Sequence, residues 1–211
     1  MYIYMENKFA NIYNKGIWGK VNGVGVSGSG SNISPDNKWY MKELYNIIND
    51  NNVSTICDIG CGDWNISKEI NWDGLTYLGI DVYRNVIQTN QKLYSKDNIS
   101  FVHDDILKRD IKGYDLIIIK DVLQHWEDID ITNMIEKLLH NNKLVYIVNG
   151  FKFGRTPEKN NWTIRNIQNK YSYHPLDLYK KPLDDYCEYV KDIKTRRYKQ
   201  YVLLKCQGCQ G

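Results

Sequence analysis

A pair of glycines followed by three groups of acidic residues is the most chemically suggestive pattern in this chain. ICDIGCGDWN, residues 56–65, climbs through apolar residues to Asp58 and turns on Gly60 and Gly62. Glycines after a buried strand let a ligand approach the backbone. Asp81 closes the stretch LGID about 20 residues later, where a carboxylate can accept both hydroxyls of a ribose. Asp104 and Asp105 lie in FVHDDI. Asp105 is expected to read an adenine edge, with the backbone around Ile106 beside it. Asp121 and His125 lie in KDVLQHW, and either can take a proton from a hydroxyl or an amine. Each residue also has a plainer reading: a strand-to-helix turn, a surface acid, a packed histidine.

Several ligands fit this pattern poorly. The dinucleotide fingerprint needs a third glycine, and Asn65 stands in its place. A phosphate loop needs Gly-Lys-Ser or Gly-Lys-Thr after the glycines, which is absent here. The five cysteines include a single C-x-x-C, CQGC, near residue 211. A zinc site needs a second ligand pair, so no metal is expected.

The elements that must position these residues alternate in type. VSTICDIG, LTYLGIDV, ISFVHDDI, YDLIIIKDVL and KLVYIVNG read as strands. YDLIIIKDVL is apolar through its middle, as a strand buried on both faces should be. WYMKELYNIINDNN, DWNISKEINW, YRNVIQTNQKLYS and EDIDITNMIEKLLHNN read as helices. Such alternation predicts a parallel sheet with helices on both faces. CEYVKDIKT and RYKQYVLLKC then read as a closing antiparallel hairpin. The expected fold is a Rossmann-like, doubly wound α/β sheet of about seven strands in one domain, residues 1–211. Residues 19–38, rich in Gly, Ser and Asn, read as a long loop, and 151–182 as a polar, proline-bearing insertion on the substrate side.

These motifs, in this order, resemble the class I S-adenosylmethionine (SAM) methyltransferases. DIGCG matches that family's glycine motif, GIDV its ribose-binding acid, FVHDDI its adenine motif and YDLIIIKDVLQHW its fourth-strand motif. The closing hairpin matches as well. A narrower resemblance is to a small group within the class that carries a Trp-Gly, a Ser-Gly-x-Gly-Ser loop and a Gly-Asp-Phe-Asn-Trp turn. WG at 18–19, SGSGS at 27–31 and GDWN at 62–65 are the counterparts, and NIQNKYSYHPLDL resembles a later segment of the group. The resemblance implies SAM as cofactor. It implies contacts from Trp18, Ser31, Asp58, Gly60, Gly62, Trp64, Asp81, Val82, Asp105, Ile106 and Lys120, with Asp121 and His125 as catalytic candidates.

Net charge +3 and a pI near 8.4 are too mild to indicate a polyanionic partner. KTRRYK reads as a solvated turn. No apolar run approaches the roughly 20 residues that span a bilayer, and the first residues lack a signal peptide's pattern. A soluble, cytoplasmic protein with no membrane partner is expected. KDVL stands where methylation of planar nitrogens carries Asn-Pro-Pro-Tyr. The expected acceptor is therefore a small molecule or sugar hydroxyl. RNA, and a SAM-binding regulator without catalysis, are the alternatives.

Overall fold

The computed structural model describes residues 2–150, 178, 189–192 and 199–205. They fall into two compact units, Met1–Arg109 and Asp110–Gly211. The first holds α1 (Tyr2–Lys15), the short strands β1 (Lys20–Val21) and β2 (Val24–Gly25), α2 (Pro35–Asp50), β3 (Thr55–Ile59), β4 (Thr76–Asp81), α3 (Arg84–Tyr94) and β5 (Ile99–His103). The second holds β6 (Leu116–Lys120), α4 (Asp128–Asn141), β7 (Leu144–Gly150), β8 (Tyr189–Asp192) and β9 (Lys199–Lys205). β3 to β9 give the expected fold class, a mostly parallel seven-stranded Rossmann-like sheet ending in an antiparallel hairpin.

In the first unit, β4 pairs in parallel with β3 on one side and β5 on the other. Their C-terminal ends therefore lie together, at Ile59, Asp81 and His103. In the second unit β6 and β7 are parallel, and β9 runs antiparallel to β7 with Gly150 opposite Lys199. That reversal carries Lys199 to the C-terminal ends of β6 and β7. Leu116, Ile117, Ile118 and Ile119 are all fully buried, as the apolar run requires.

Two local outcomes differ from expectation, and one element was not anticipated. The predicted helix over 63–72 is reduced to a single 3-10 turn, Ser67–Glu69. Its first residues are used elsewhere: Trp64 adopts φ 56°, outside the helical region, and Asp63 and Asn65 bond to a distant segment. The 19–38 loop is also shorter than read, because α2 starts at Pro35. Ser34 caps it by accepting the Asn37 N–H at 3.1 Å. The N-terminal residues form α1, stopped by Gly16 at φ 64°, over which the Ile17 N–H reaches Ile12 O at 2.9 Å.

Candidate functional site

β3 delivers the chain to the glycine turn at the C-terminal ends of the first unit's strands. The Gly60 and Cys61 amides both donate to Ile80 O, at 2.8 and 3.1 Å, which pins the start of the turn to β4. Gly62 is held on every side. Its N–H donates to Asp81 Oδ2 at 3.1 Å, and its carbonyl accepts from the buried Asn90 Nδ2 at 2.8 Å. Its φ is 56°, and a Cβ there would lie 2.5 Å from Ser27 Oγ. The space a side chain would need is thus filled by Ser27.

Ser27 belongs to the arm that links α1 to α2. Its N–H donates to Asp63 Oδ2, and the Asp63 N–H donates to Ser27 Oγ, both at 2.8 Å. Tyr13 Oη lies 2.7 Å from Ser27 Oγ. Ser31 Oγ donates to Gly28 O at 2.9 Å and lies 3.4 Å from Asp63 Oδ2, while Asn65 Nδ2 donates to Ser31 O at 2.9 Å. Trp18 packs its ring near Phe9 and Tyr13. α1 continues over the other strand ends. Tyr13 stacks on Tyr83 at 4.6 Å, the Tyr83 hydroxyl donates to Asn14 Oδ1 at 3.0 Å, and Glu6 lies 3.3 Å from His103 Nε2.

The acids take different surroundings. Asp58 is buried and accepts the Tyr77 hydroxyl at 2.6 Å. Burial first, and then the charge of Asp58, push the Tyr77 phenol well above its ordinary pKa. Asp81 accepts from the Tyr83 N–H at 2.8 Å through Oδ1 and from Gly62 through Oδ2. Its pKa is raised by burial against the opposing pull of those two amides. Val82 directs its carbonyl to His103 Nε2 at 3.0 Å. Asp104 is taken up by Arg109 at 2.7 Å. Asp105 is only 3% exposed, and its Oδ1 accepts the Leu107 N–H at 3.2 Å. Its Oδ2 is buried with no hydrogen-bond partner, the Lys108 ammonium standing 4.0 Å off. Ile106 is buried beside it.

Trp64 lies in an aromatic cluster with Trp72, Tyr77, Tyr94 and Phe101, ring centroids 5.0–6.3 Å away. The structure thus gives it a packing role whatever else it touches. Cys57 and Cys61 are free thiols whose pKa values burial pushes up, so both stay protonated and unreactive at neutral pH. Among the described residues, no cluster of His, Cys, Asp and Glu is arranged to hold a metal ion, and no helix is long and apolar enough to cross a membrane.

The second unit carries Asp121 just after β6. Asp121 has φ 60°, and its N–H donates to Val148 O at 2.7 Å. Its Oδ2 accepts from Lys120 Nζ at 2.9 Å and from Lys199 Nζ. Burial alone would raise its pKa, but the two ammonium groups override burial and hold the carboxyl far below the usual range. His125 ends a 3-10 turn, Leu123–His125. Gln124 Oε1 accepts the Gly150 N–H at 3.2 Å. Asn149 is fully buried, and neither polar atom of its side chain has a hydrogen-bond partner. The insertion at 151–182 apart from Leu178, the His174 segment, most of KTRRYK and the terminal CQGC lie outside the described residues.

Sequence reasoning passed over Ser27, Asp63, Tyr13, Tyr77 and Asn90. The only hint was that SGSGS and GDWN occur in the same chain; in the fold Ser27 and Asp63 bond each other.

Residues 57–142 match a family model described as a methyltransferase domain. No curated protein sequence matches the chain. Solved structures resemble it in fold. Magnesium protoporphyrin IX methyltransferase (ChlM) from Synechocystis PCC 6803 with bound SAM is 16% identical, with TM-score 0.58, over 97% of this chain and 94% of that one. N-methyltransferase NodS from Bradyrhizobium japonicum WM9 is 16% identical, with TM-score 0.59, over 82% and 97%. The methyltransferase domain of bacterial CtHen1 is 14% identical, with TM-score 0.58, over 80% and 98%. The chain thus has the fold of these methyltransferases, and the family match spans the segment that carries the glycine turn and the three acidic strand ends.

Proposed function

We propose that the protein is a SAM-dependent methyltransferase acting on a small hydroxylated molecule or sugar. One observation carries the cofactor reading. Asp58, Asp81 and Asp105 stand at the ends of three adjacent parallel strands, and Asp105 buries an oxygen that has no hydrogen-bond partner. A buried carboxylate oxygen without a donor is costly, and the amino group of adenine is a donor of the right kind. Asp81, at the next strand end, accepts the ribose hydroxyls. Asp58 and Gly60 receive the methionine end. The residues present fit the cofactor, which supplies an electrophilic methyl group on a sulfonium.

The protein's remaining tasks are to hold the acceptor in line at short range and to take its proton. Asp121 is poorly suited to the second. A carboxylate kept ionised by two ammonium groups has little affinity for a proton. His125 is therefore assigned the proton, and Asp121, with Lys120 and Lys199, a positioning role in the second unit. The modest net charge favours an uncharged acceptor over a polyanion.

Calorimetry with SAM, S-adenosylhomocysteine, NAD and ATP tests the cofactor. The first two should bind and the others should not, and tight NAD binding without SAM would reverse the reading. Turnover of methyl-labelled SAM against sugar, RNA and protein pools tests the acceptor. RNA activity that collapses between low and physiological salt, with none on sugars, would replace the small-molecule assignment.

A further inference from the structure

We propose that Ser27 and Asp63 are positioning residues for the cofactor: their exchange of hydrogen bonds docks the arm between α1 and α2 onto the glycine turn, so that arm docking and cofactor binding support each other. This rests on the cofactor reading above. Gly62 joins the arm to the ribose acceptor. Its amide is bound by Asp81, the residue assigned to the ribose, and the space beside its Cα is filled by Ser27 Oγ. The position of the ribose acceptor and the position of the arm are therefore set through one peptide unit.

The arm is joined to the glycine turn by polar bonds. Val21 and Val24 of its small hairpin are 57% and 69% exposed and contribute little burial. The bonds are Ser27 N–H to Asp63, Asp63 N–H to Ser27, Asn65 to Ser31, and the one shared by the Tyr13 and Ser27 hydroxyls. Asn37 adds two more, its Nδ2 donating to Gly30 O and Asn32 O. Intramolecular hydrogen bonds are individually modest in net effect, so the docked arm is a balance that a ligand can shift. Gly19 at φ 120° and Gly28 at φ 88° bracket the hairpin and supply backbone freedom at both ends. α1 itself reaches the β4 and β5 ends through Tyr83 and His103. An arm released from Asp63 would free the Asp63 amide and leave Gly62 held only by Asp81 and Asn90.

The test uses the full chain with S-adenosylhomocysteine as probe. Ligand should slow tryptic cleavage at the exposed Lys20. Ser27→Ala and Asp63→Ala should each weaken binding about tenfold and lose most of that protection. The double variant should be little worse than either single one, because both act through one contact. A role in fold stability alone would move the melting temperature without this non-additive loss of affinity. Ser27→Ala decides the matter if Asp63→Ala fails to fold. Wild-type binding with unchanged affinity in Ser27→Ala, or cleavage at Lys20 indifferent to ligand, overturns the proposal while leaving the cofactor reading intact. Absence of binding by the wild type overturns both.

Discussion

Tyr77 donates its hydroxyl proton to Asp58 across the β3–β4 pair at 2.6 Å, with both residues buried. The phenol supplies a hydrogen bond to a buried carboxyl group beneath the glycine turn. Tyr77→Phe removes that donor and keeps the ring in its aromatic cluster. Leaving that buried acceptor without its donor should cost about 1–3 kcal/mol. Urea denaturation should show a lower midpoint with an unchanged slope.

Gly62→Ala should be among the more damaging single-methyl changes in the first unit. It places a Cβ 2.5 Å from Ser27 Oγ at a residue with φ 56°. The left-handed conformation alone costs about 1–2 kcal/mol. Combining it with Ser27→Gly relieves the clash but not the backbone penalty, so the double variant should be less destabilised than the two single losses added. Additivity within about 0.5 kcal/mol would show that the arm does not occupy that space.

Asp81 should govern ligand affinity and its pH dependence. Asp81→Asn should weaken SAM binding by about 30-fold, since two charge-assisted bonds are lost. The ionised carboxylate is the form that accepts ribose hydroxyls, and burial raises its pKa. Affinity should therefore fall as pH drops through that raised value. Calorimetry across acidic pH should show this slope in the wild type and a flat profile in Asp81→Asn.

Asp121 should mark the acid limb of stability. Its pKa in the folded chain lies well below the value of about 3.9 expected when unfolded. The stabilisation is thus complete above the unfolded value and is lost as pH falls below it. Asp121→Asn should lower stability at pH 7 by about 2 kcal/mol, because Lys120 and Lys199 lose their shared carboxylate. The same variant should flatten the fall in stability below about pH 4. Thermal melts from pH 7 to 3 measure both effects.

The division of labour between Asp121 and His125 is open to a kinetic check. His125→Ala should slow turnover by about 100-fold with SAM affinity unchanged, as loss of a general base does. Full turnover in that variant would leave positioning as the whole mechanism.

The sequence by itself determined the strands and the order of the acidic motifs. Ile117, Ile118 and Ile119 announce a two-face-buried strand, and Asp81 ends its strand and Asp105 follows its own at positions that local pattern alone reveals. Such signals are legible because strand burial repeats over neighbouring residues. The tertiary structure decided what the glycine turn does with its own residues. Asp63 and Asn65 had the look of a helix start. They serve instead as partners for Ser27 and Ser31, 36 and 34 residues earlier in the chain. Trp64, expected as a cofactor contact, also packs among aromatic rings that no local pattern places beside it. Asp121 read as a free acid until β9, running antiparallel, brought Lys199 back to it from 78 residues away. Single polar contacts of this kind carry no periodicity. Their energies depend on a partner's distance and burial, and only the folded chain sets those.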